Sequence, residues 1–369
     1  MKGSVAIKLL VAILIILIIG AGVLLGMKMS QNQNNTQSEE SQKSQNEENN
    51  TKPVVPEKKE PKTFKGTDRP IAVMLDNSKD ALPHAGLNNA YLVYEIIVEG
   101  GESRLMAVFK GANLDRIGPI RSSRHYYLDY ALENDAIYVH FGWSPQARDD
   151  ISSLGVNNIN GITESSESFW RDTDEDHAYL HSVATSTADI LEIAERKGYE
   201  TTSAQKSILK YVGEEVNLKS DMIAEEVIIP YSYSNVASFE YDPTTKRYIR
   251  YSKGIKETDW TTGETVTTKN IIIVKCANWS LNDEENKGRQ TIDNITTLEG
   301  YYITIGKAIE ITAEKESRES QTVYRDLAGN EIEVNDGNTF IQICPLNSEV
   351  EILPGIPEPT PEPTNTVVQ

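Results

Sequence analysis

Between Leu9 and Met27 the chain reads LLVAILIILIIGAGVLLGM, without one charged residue. About 20 consecutive apolar residues are enough to cross the hydrocarbon core of a bilayer. A stretch like this at the start of a chain, followed by polar sequence, has no partner to bury it in a soluble core. It therefore predicts a single N-terminal transmembrane helix within residues 1–29. Lys2 and Lys8 precede the run and Lys28 follows it, a bias that favours a cytoplasmic start with the rest exported. The alternative is a cleaved signal peptide. Gly20-Ala21-Gly22 is a poor cleavage site, however, and the apolar run continues past it. No cysteine occurs before Cys276, so nothing near the N-terminus can carry a thioether lipid.

Residues 30–62 are built from Ser, Gln, Asn, Glu, Lys and Pro and hold almost nothing to bury, which predicts a disordered spacer. Residues 354–369, PGIPEPTPEPTNTVVQ, predict an extended Pro-rich tail. The globular head then divides at a change of texture. Residues 63–219 alternate strand and helix patterns, and residues 220–353 are mostly strand-like with turn signals at Asp242-Pro243, Gly329-Asn330 and Asp336-Gly337. The expected fold is an α/β N-terminal domain followed by a mostly antiparallel β C-terminal domain. Net charge is -19, which argues against a nucleic-acid ligand, since that needs a broad basic face. Cys276 and Cys344 each end a candidate strand. They are either a disulfide across a long loop or two buried thiols.

The chemistry-bearing residues gather at strand–helix junctions. RPIAVMLDN is a buried strand leaving at Asp76-Asn77. GPIRSSRHYYLDY places Arg121 and Arg124 between a Gly-Pro turn and a predicted helix that Ser122 or Ser123 would cap. A cation in a helix's first turn is electrostatically misplaced unless an anion lies nearby, and guanidinium groups suit bidentate phosphate or carboxylate. The anion is either a ligand or an internal acid such as Asp76, Glu95, Glu99, Asp129 or Asp172. YVHFGWSPQA repeats the junction with His140, Gly142 and Ser144, at the kind of strand end where open α/β sheets bind ligands. The loop TESSESFWRDTDEDHAYLHS carries Trp170, Arg171, His177 and His181. Its Asp172, Asp174 and Asp176 imitate a calcium loop, but His177 and Val183 stand where Gly and Glu belong, so no metal site is expected. No nucleophile elbow, Walker loop, dinucleotide fingerprint or kinase set appears, so no cofactor is expected either.

RPIAVMLDN, VYEIIVEGGESRLMAVF, IGPIRSSR, YVHFGWSPQA and FWRD, in this order, resemble the YerB-like lipoprotein family, whose two halves are catalogued as domains of unknown function. The resemblance runs from about Arg69 to Ile343 and is strongest before Thr187. It implies an exported, membrane-tethered bacterial protein with an α/β part and a β-rich part, and it supplies no reaction. The matching polar positions are Asp76, Asn77, Glu95, Glu99, Arg104, Arg121, Ser122, Arg124, Asp129, His140, Ser144 and Arg171. This chain departs from the family in lacking the lipid-modified cysteine. It also carries His181-Ser182-Val183-Ala184 where members have His-Asn-Leu-Tyr.

Taken together, the sequence predicts a single-pass protein of the cell membrane with its globular part outside the cytoplasm. The first expected function is binding of an anionic group, phosphate or carboxylate of an envelope polymer. Arg104, Arg121, Ser122, Arg124, Asp76, Asn77, His140 and Arg171 would line the site, and Tyr126, Tyr127 and Trp143 would pack on the ligand. This reading needs no catalyst. The alternatives are an envelope hydrolase or transferase, with His140 or Glu99 as base and Ser144 as nucleophile, or a protein-interaction subunit of an envelope complex.

Overall fold

The computed structural model describes residues 59–172 and 177–355. The expected anchor, most of the spacer, nearly all of the Pro-rich tail, Asp174 and Asp176 lie outside them. The transmembrane helix in the expected fold class is not supported: among the described residues no helix is long and apolar enough to cross a membrane.

The strands, in chain order, are β1 (Ile71–Asp76), β2 (Leu92–Ile97), β3 (Ser103–Phe109), β4 (Ile137–His140), β5 (Asn158–Asn160), β6 (Glu226–Pro230), β7 (Val236–Asp242), β8 (Arg247–Ser252), β9 (Ile255–Lys256), β10 (Asn270–Cys276), β11 (Thr297–Thr304), β12 (Lys307–Glu314), β13 (Val323–Asp326), β14 (Thr339–Pro345) and β15 (Glu351–Leu353), with shorter two- and three-residue pairs between them. Among the described residues three α-helices accompany them: α1 (Tyr127–Glu133), α2 (Pro145–Ser153) and α3 (Thr187–Arg196). α2 and α3 start as their sequences predict. Ser144 Oγ accepts from the Ala147 amide with Pro145 next in line, and Ser186 accepts from Asp189.

A mixed α/β region is followed by a β-rich one, yet the two share a sheet. The ten-stranded order is β13-β12-β11-β10-β14-β2-β3-β1-β4-β5. β14 pairs parallel with both β10 and β2, so the second half is not the self-contained antiparallel unit its sequence suggests. A six-stranded sheet, β9-β8-β7-β6-β15 with the Thr267–Thr268 strand on β8, forms a second layer. Side chains alternate across the large sheet. Ile71, Val73 and Leu75 face α3 and the six-stranded sheet, while Ala72 and Met74 face α1 and α2. Burial on both faces is why β1, β2, β3 and β14 read as near-continuous apolar runs.

The same alternation settles the cysteines. Cys276 aligns with Pro345, and Cys344 with Lys275. On neighbouring parallel strands one residue out of step, their side chains lie on opposite faces, and both are free and buried. Burial raises the thiols to about 12 for Cys276 and about 11 for Cys344.

Candidate functional site

β1, β2 and β4 run in one direction and β3 in the other. The ends of the first three and the start of β3 therefore share an edge. The segment after Pro119 threads across that edge. The Asp76 amide donates to the Pro119 carbonyl (2.9 Å), the Arg121 amide to Met74 (2.9 Å), the Phe141 amide to Arg121 (3.0 Å) and the Ser123 amide to Gly142 (2.9 Å). The three junctions thus do meet. Gly118 permits the crossing, because a Cβ there would stand 2.7 Å from the Val183 carbonyl oxygen.

One part of the expected electrostatics is wrong. α1 begins at Tyr127 with Tyr126 before it, has no side-chain cap and is a single short run. Arg124 lies upstream of it, so no cation sits in a helix's first turn. Arg124 is placed by charge instead. Its Nε donates to Glu99 Oε2 (2.9 Å), Nη2 pairs with the other Glu99 oxygen, and Nη1 donates to the Ser123 carbonyl (2.7 Å). Three of its five N–H donors are held by these partners and the side chain is buried, which makes Arg124 part of the framework. Arg104, buried, reaches Glu99 at 3.6 Å and donates to the Ser122 carbonyl at 2.5 Å. Burial and Arg124 pull its guanidinium down to about 10, against Glu99 and Asp76.

Arg121 differs because it is partly exposed. Its Nε meets Asp76 Oδ2 at 3.1 Å and its Nη1 donates to the Leu180 carbonyl at 2.8 Å. Asp76 is buried, and burial would raise its pKa, but Arg121, the Ser78 amide and His181 outweigh burial and hold the carboxyl below its usual range. Arg171 donates to the adjacent Tyr179 carbonyl and stacks over the Tyr179 ring at 4.1 Å. No carboxylate among the described residues lies within ion-pair distance of it. Arg121 and Arg171 thus grip neighbouring carbonyls of one turn. The side chains of Tyr179 and Leu180, whose carbonyls they hold, are exposed, and so are Trp143 and Ile162.

Other expected site residues are structural. His140 is fully buried. Its ring nitrogens face the Gly142 carbonyl (2.7 Å) and Asn158 Oδ1 (3.3 Å), and burial drives it down to about 4. It is no exposed base. Ser144, also buried, is occupied as the α2 cap, so it is no nucleophile. Tyr126 and Tyr127 donate to the Ile97 and Ile96 carbonyls inside the core and cannot pack on a ligand. Asn77 is buried, donating to Glu95 Oε1 (3.0 Å) and Ser103 Oγ (2.8 Å). Asp129 pairs with Arg318 (2.6 Å) and Asp172 with Arg116 (2.6 Å). Among the described residues no His/Cys/Asp/Glu group could hold a metal.

Sequence reasoning missed His181. Its Nδ1 lies 2.7 Å from Asp76 Oδ2 and 3.0 Å from Ser78 Oγ. Its one signal was a pair of histidines in a polar loop, and its carboxylate partner is more than a hundred residues away.

The Glu99 pairing has a pH consequence. Burial opposes ionisation of Glu99, but Arg124 and Arg104 win and depress it to about 2 from 4.5. A depressed folded pKa contributes stability that is present above pH 4.5 and lost as pH falls toward 2. We expect Glu99→Gln to lower stability by on the order of 2–3 kcal/mol at pH 7 and by nearly nothing at pH 2. Urea melts at the two pH values check this, and equal losses at both would show the pairing to be energetically idle.

The architecture and the charged strand edge define an α/β–β protein whose polar side chains gather where three loops cross. Two family models match it. Residues 57–200 match "Protein of unknown function (DUF3048) N-terminal domain" and residues 227–341 match the corresponding C-terminal domain. The chain is 29% identical over 294 residues to Bacillus subtilis "Putative lipoprotein YerB", covering 78% of this chain and 82% of that protein. The crystal structure of B. subtilis YerB superposes with a TM-score of 0.68 at 29% identity, covering 77% of this chain and 94% of that one. The chain belongs to the YerB-like family.

Proposed function

We propose that this is a membrane-associated, extracytoplasmic binding protein of the bacterial cell envelope that takes a phosphate or carboxylate of an anionic polymer at Arg121 and Arg171. The relative described as a lipoprotein supports the location. One observation carries the ligand class. Arg104, Arg121 and Arg124 share two carboxylates, Asp76 and Glu99, while Arg171 has no carboxylate partner among the described residues. Among the described residues the four guanidinium groups of this edge thus face two carboxylates, in a chain of net charge -19, and such an excess is costly to maintain without an anion to meet it. Arg104 and Arg124 set the framework, and Arg121 and Arg171 offer donors.

The exposed Trp143, Tyr179 and Leu180 give the uncharged part of a polymer an apolar surface. Trp143 also edges a groove of about 520 Å³ lined by Asn158, Asn160 and Tyr199. A larger cavity, about 820 Å³, lies on the six-stranded sheet, but Glu225, Glu226, Glu240 and Asp242 line it. Its charge is wrong for an anion.

The test is thermal melting with inorganic phosphate, sulfate and glycerol phosphate. An anion at about ten times its Kd adds roughly 1.4 kcal/mol, a rise of about 2–4 °C. Arg121→Ala and Arg171→Ala should each remove most of that rise, whatever they do to the unliganded melt. A rise that survives both substitutions would place the anion elsewhere.

A further inference from the structure

We infer that His181, held by Asp76, is a general base at this edge, and that the site hydrolyses a phosphodiester instead of only holding one. The inference rests on the anion-binding reading above and adds a reaction to it. A histidine base needs one ring nitrogen fixed by an acceptor and the other open to substrate. His181 Nδ1 is fixed by Asp76 Oδ2 at 2.7 Å, with Ser78 Oγ at 3.0 Å. Nε2 has no hydrogen-bond partner among the described residues, although the side chain is largely buried. Asp76 is 5% exposed and kept ionised, so its charge stabilises the imidazolium that forms when Nε2 takes a proton. His84 fixes Asp76 from behind, its Nε2 standing 2.5 Å from the Asp76 carbonyl oxygen.

Asp76 Oδ2 also lies 3.1 Å from Arg121 Nε, an ion pair. The base and the guanidinium therefore hang on one oxygen atom, and Arg121 Nη1 holds the carbonyl of Leu180, next to His181. A phosphodiester bound by Arg121 and Arg171 is brought beside Nε2.

The step balances with water as the only co-reactant. The water oxygen forms a bond to phosphorus as the bond from phosphorus to one ester oxygen breaks. Nε2 takes the proton of the attacking water. The same proton then passes to the departing alkoxide, leaving a phosphomonoester, an alcohol and a neutral imidazole. Arg121 and Arg171 face the charge on the non-bridging oxygens, the kind of fixed electrostatic support that lowers such barriers. In these roles His181 is a catalytic residue and Asp76 a positioning one.

The experiment follows hydrolysis of bis(4-nitrophenyl) phosphate by the full chain, with phosphate-induced melting shifts measured on the same samples. A positioned base contributes about 10²–10⁴-fold, so His181→Asn should cut turnover by at least about 100-fold while keeping the phosphate shift. Asp76→Asn should slow turnover by about tenfold or more. Turnover absent in the wild type, or unchanged in His181→Asn, overturns the hydrolytic proposal while phosphate binding stands. Loss of the phosphate shift in the wild type instead overturns the binding reading, and the hydrolytic one with it. A substrate-independent measurement covers the case where His181→Asn does not fold: diethyl pyrocarbonate should acylate His181 faster than any other histidine of the wild type, and Asp76→Asn should slow that reaction. Acylation of His181 no faster than that of His125 overturns the proposal.

Discussion

Arg250→Ala is expected to remove about 3–5 kcal/mol of folding stability at neutral pH. Arg250 is fully buried between the two sheets. Its Nη2 lies 3.0 Å from Glu95 Oε2 and its Nη1 pairs with Glu257, both carboxylates being almost inaccessible. Glu95 Oε1 accepts from Asn77 and Ser103, and Glu257 contacts His84, whose imidazole burial and Arg250 push down to about 4. One guanidinium therefore compensates two buried carboxylates. Deleting it strands both in a medium where an unpaired charge costs several kcal/mol. The lost side-chain volume is a smaller effect, and a second variant separates the two. Arg250→Met combined with Glu95→Gln and Glu257→Gln removes the charges together and should recover much of the loss. Urea unfolding of the wild type and the two variants reads both effects. A loss under about 1 kcal/mol would mean that water or a rearranged neighbour solvates the cluster.

This network shows where sequence reading reached its limit. β1, β2 and β3 were legible because strands buried on both faces are apolar throughout, and α2 and α3 because local caps mark their starts. Arg250 leaves a trace in the sequence: in RYIRYS the buried positions are Tyr248, Arg250 and Ser252, so alternation alone puts an arginine on the inward face. The parallel insertion of β14 between β10 and β2 left none. Its pairing with β2 joins residues more than two hundred positions apart, and no local propensity encodes a partner at that distance. The junction loops were recognised as a group, because polar residues at strand ends are visible in sequence. Which side chains within them are free was not visible. Arg124 and Arg121 look alike in GPIRSSR, yet Glu99 occupies the first and Asp76 only half of the second. His181 became part of the site through the same Asp76 oxygen.

The second large effect lies inside the large sheet. Gly300 of β11 pairs with Val274 of β10. A Cβ built on Gly300 would stand 1.8 Å from the Ile273 carbonyl oxygen and 3.0 Å from the Val274 Cα. These are backbone atoms of the neighbouring strand and cannot turn aside as a side-chain end could. The φ of Gly300 is not among the positive values, so alanine suits the local backbone and the whole cost is steric. To accept one methyl group, β11 must move away from β10 and break ladder hydrogen bonds in the middle of a ten-stranded sheet. We expect Gly300→Ala to cost more than about 4 kcal/mol, at the extreme of single substitutions. Gly254→Ala is the control, with positive φ and nothing within 4 Å of its Cβ position. Only backbone strain of about 1 kcal/mol or slightly more applies there. If the two variants melt together, β10 and β11 are not held as closely as their register implies. If Gly300→Ala alone collapses, the close approach of these strands is a structural requirement. β10 also carries β14 and, through it, the strands whose ends build the anion site, so the collapse should abolish the phosphate-induced melting shift as well.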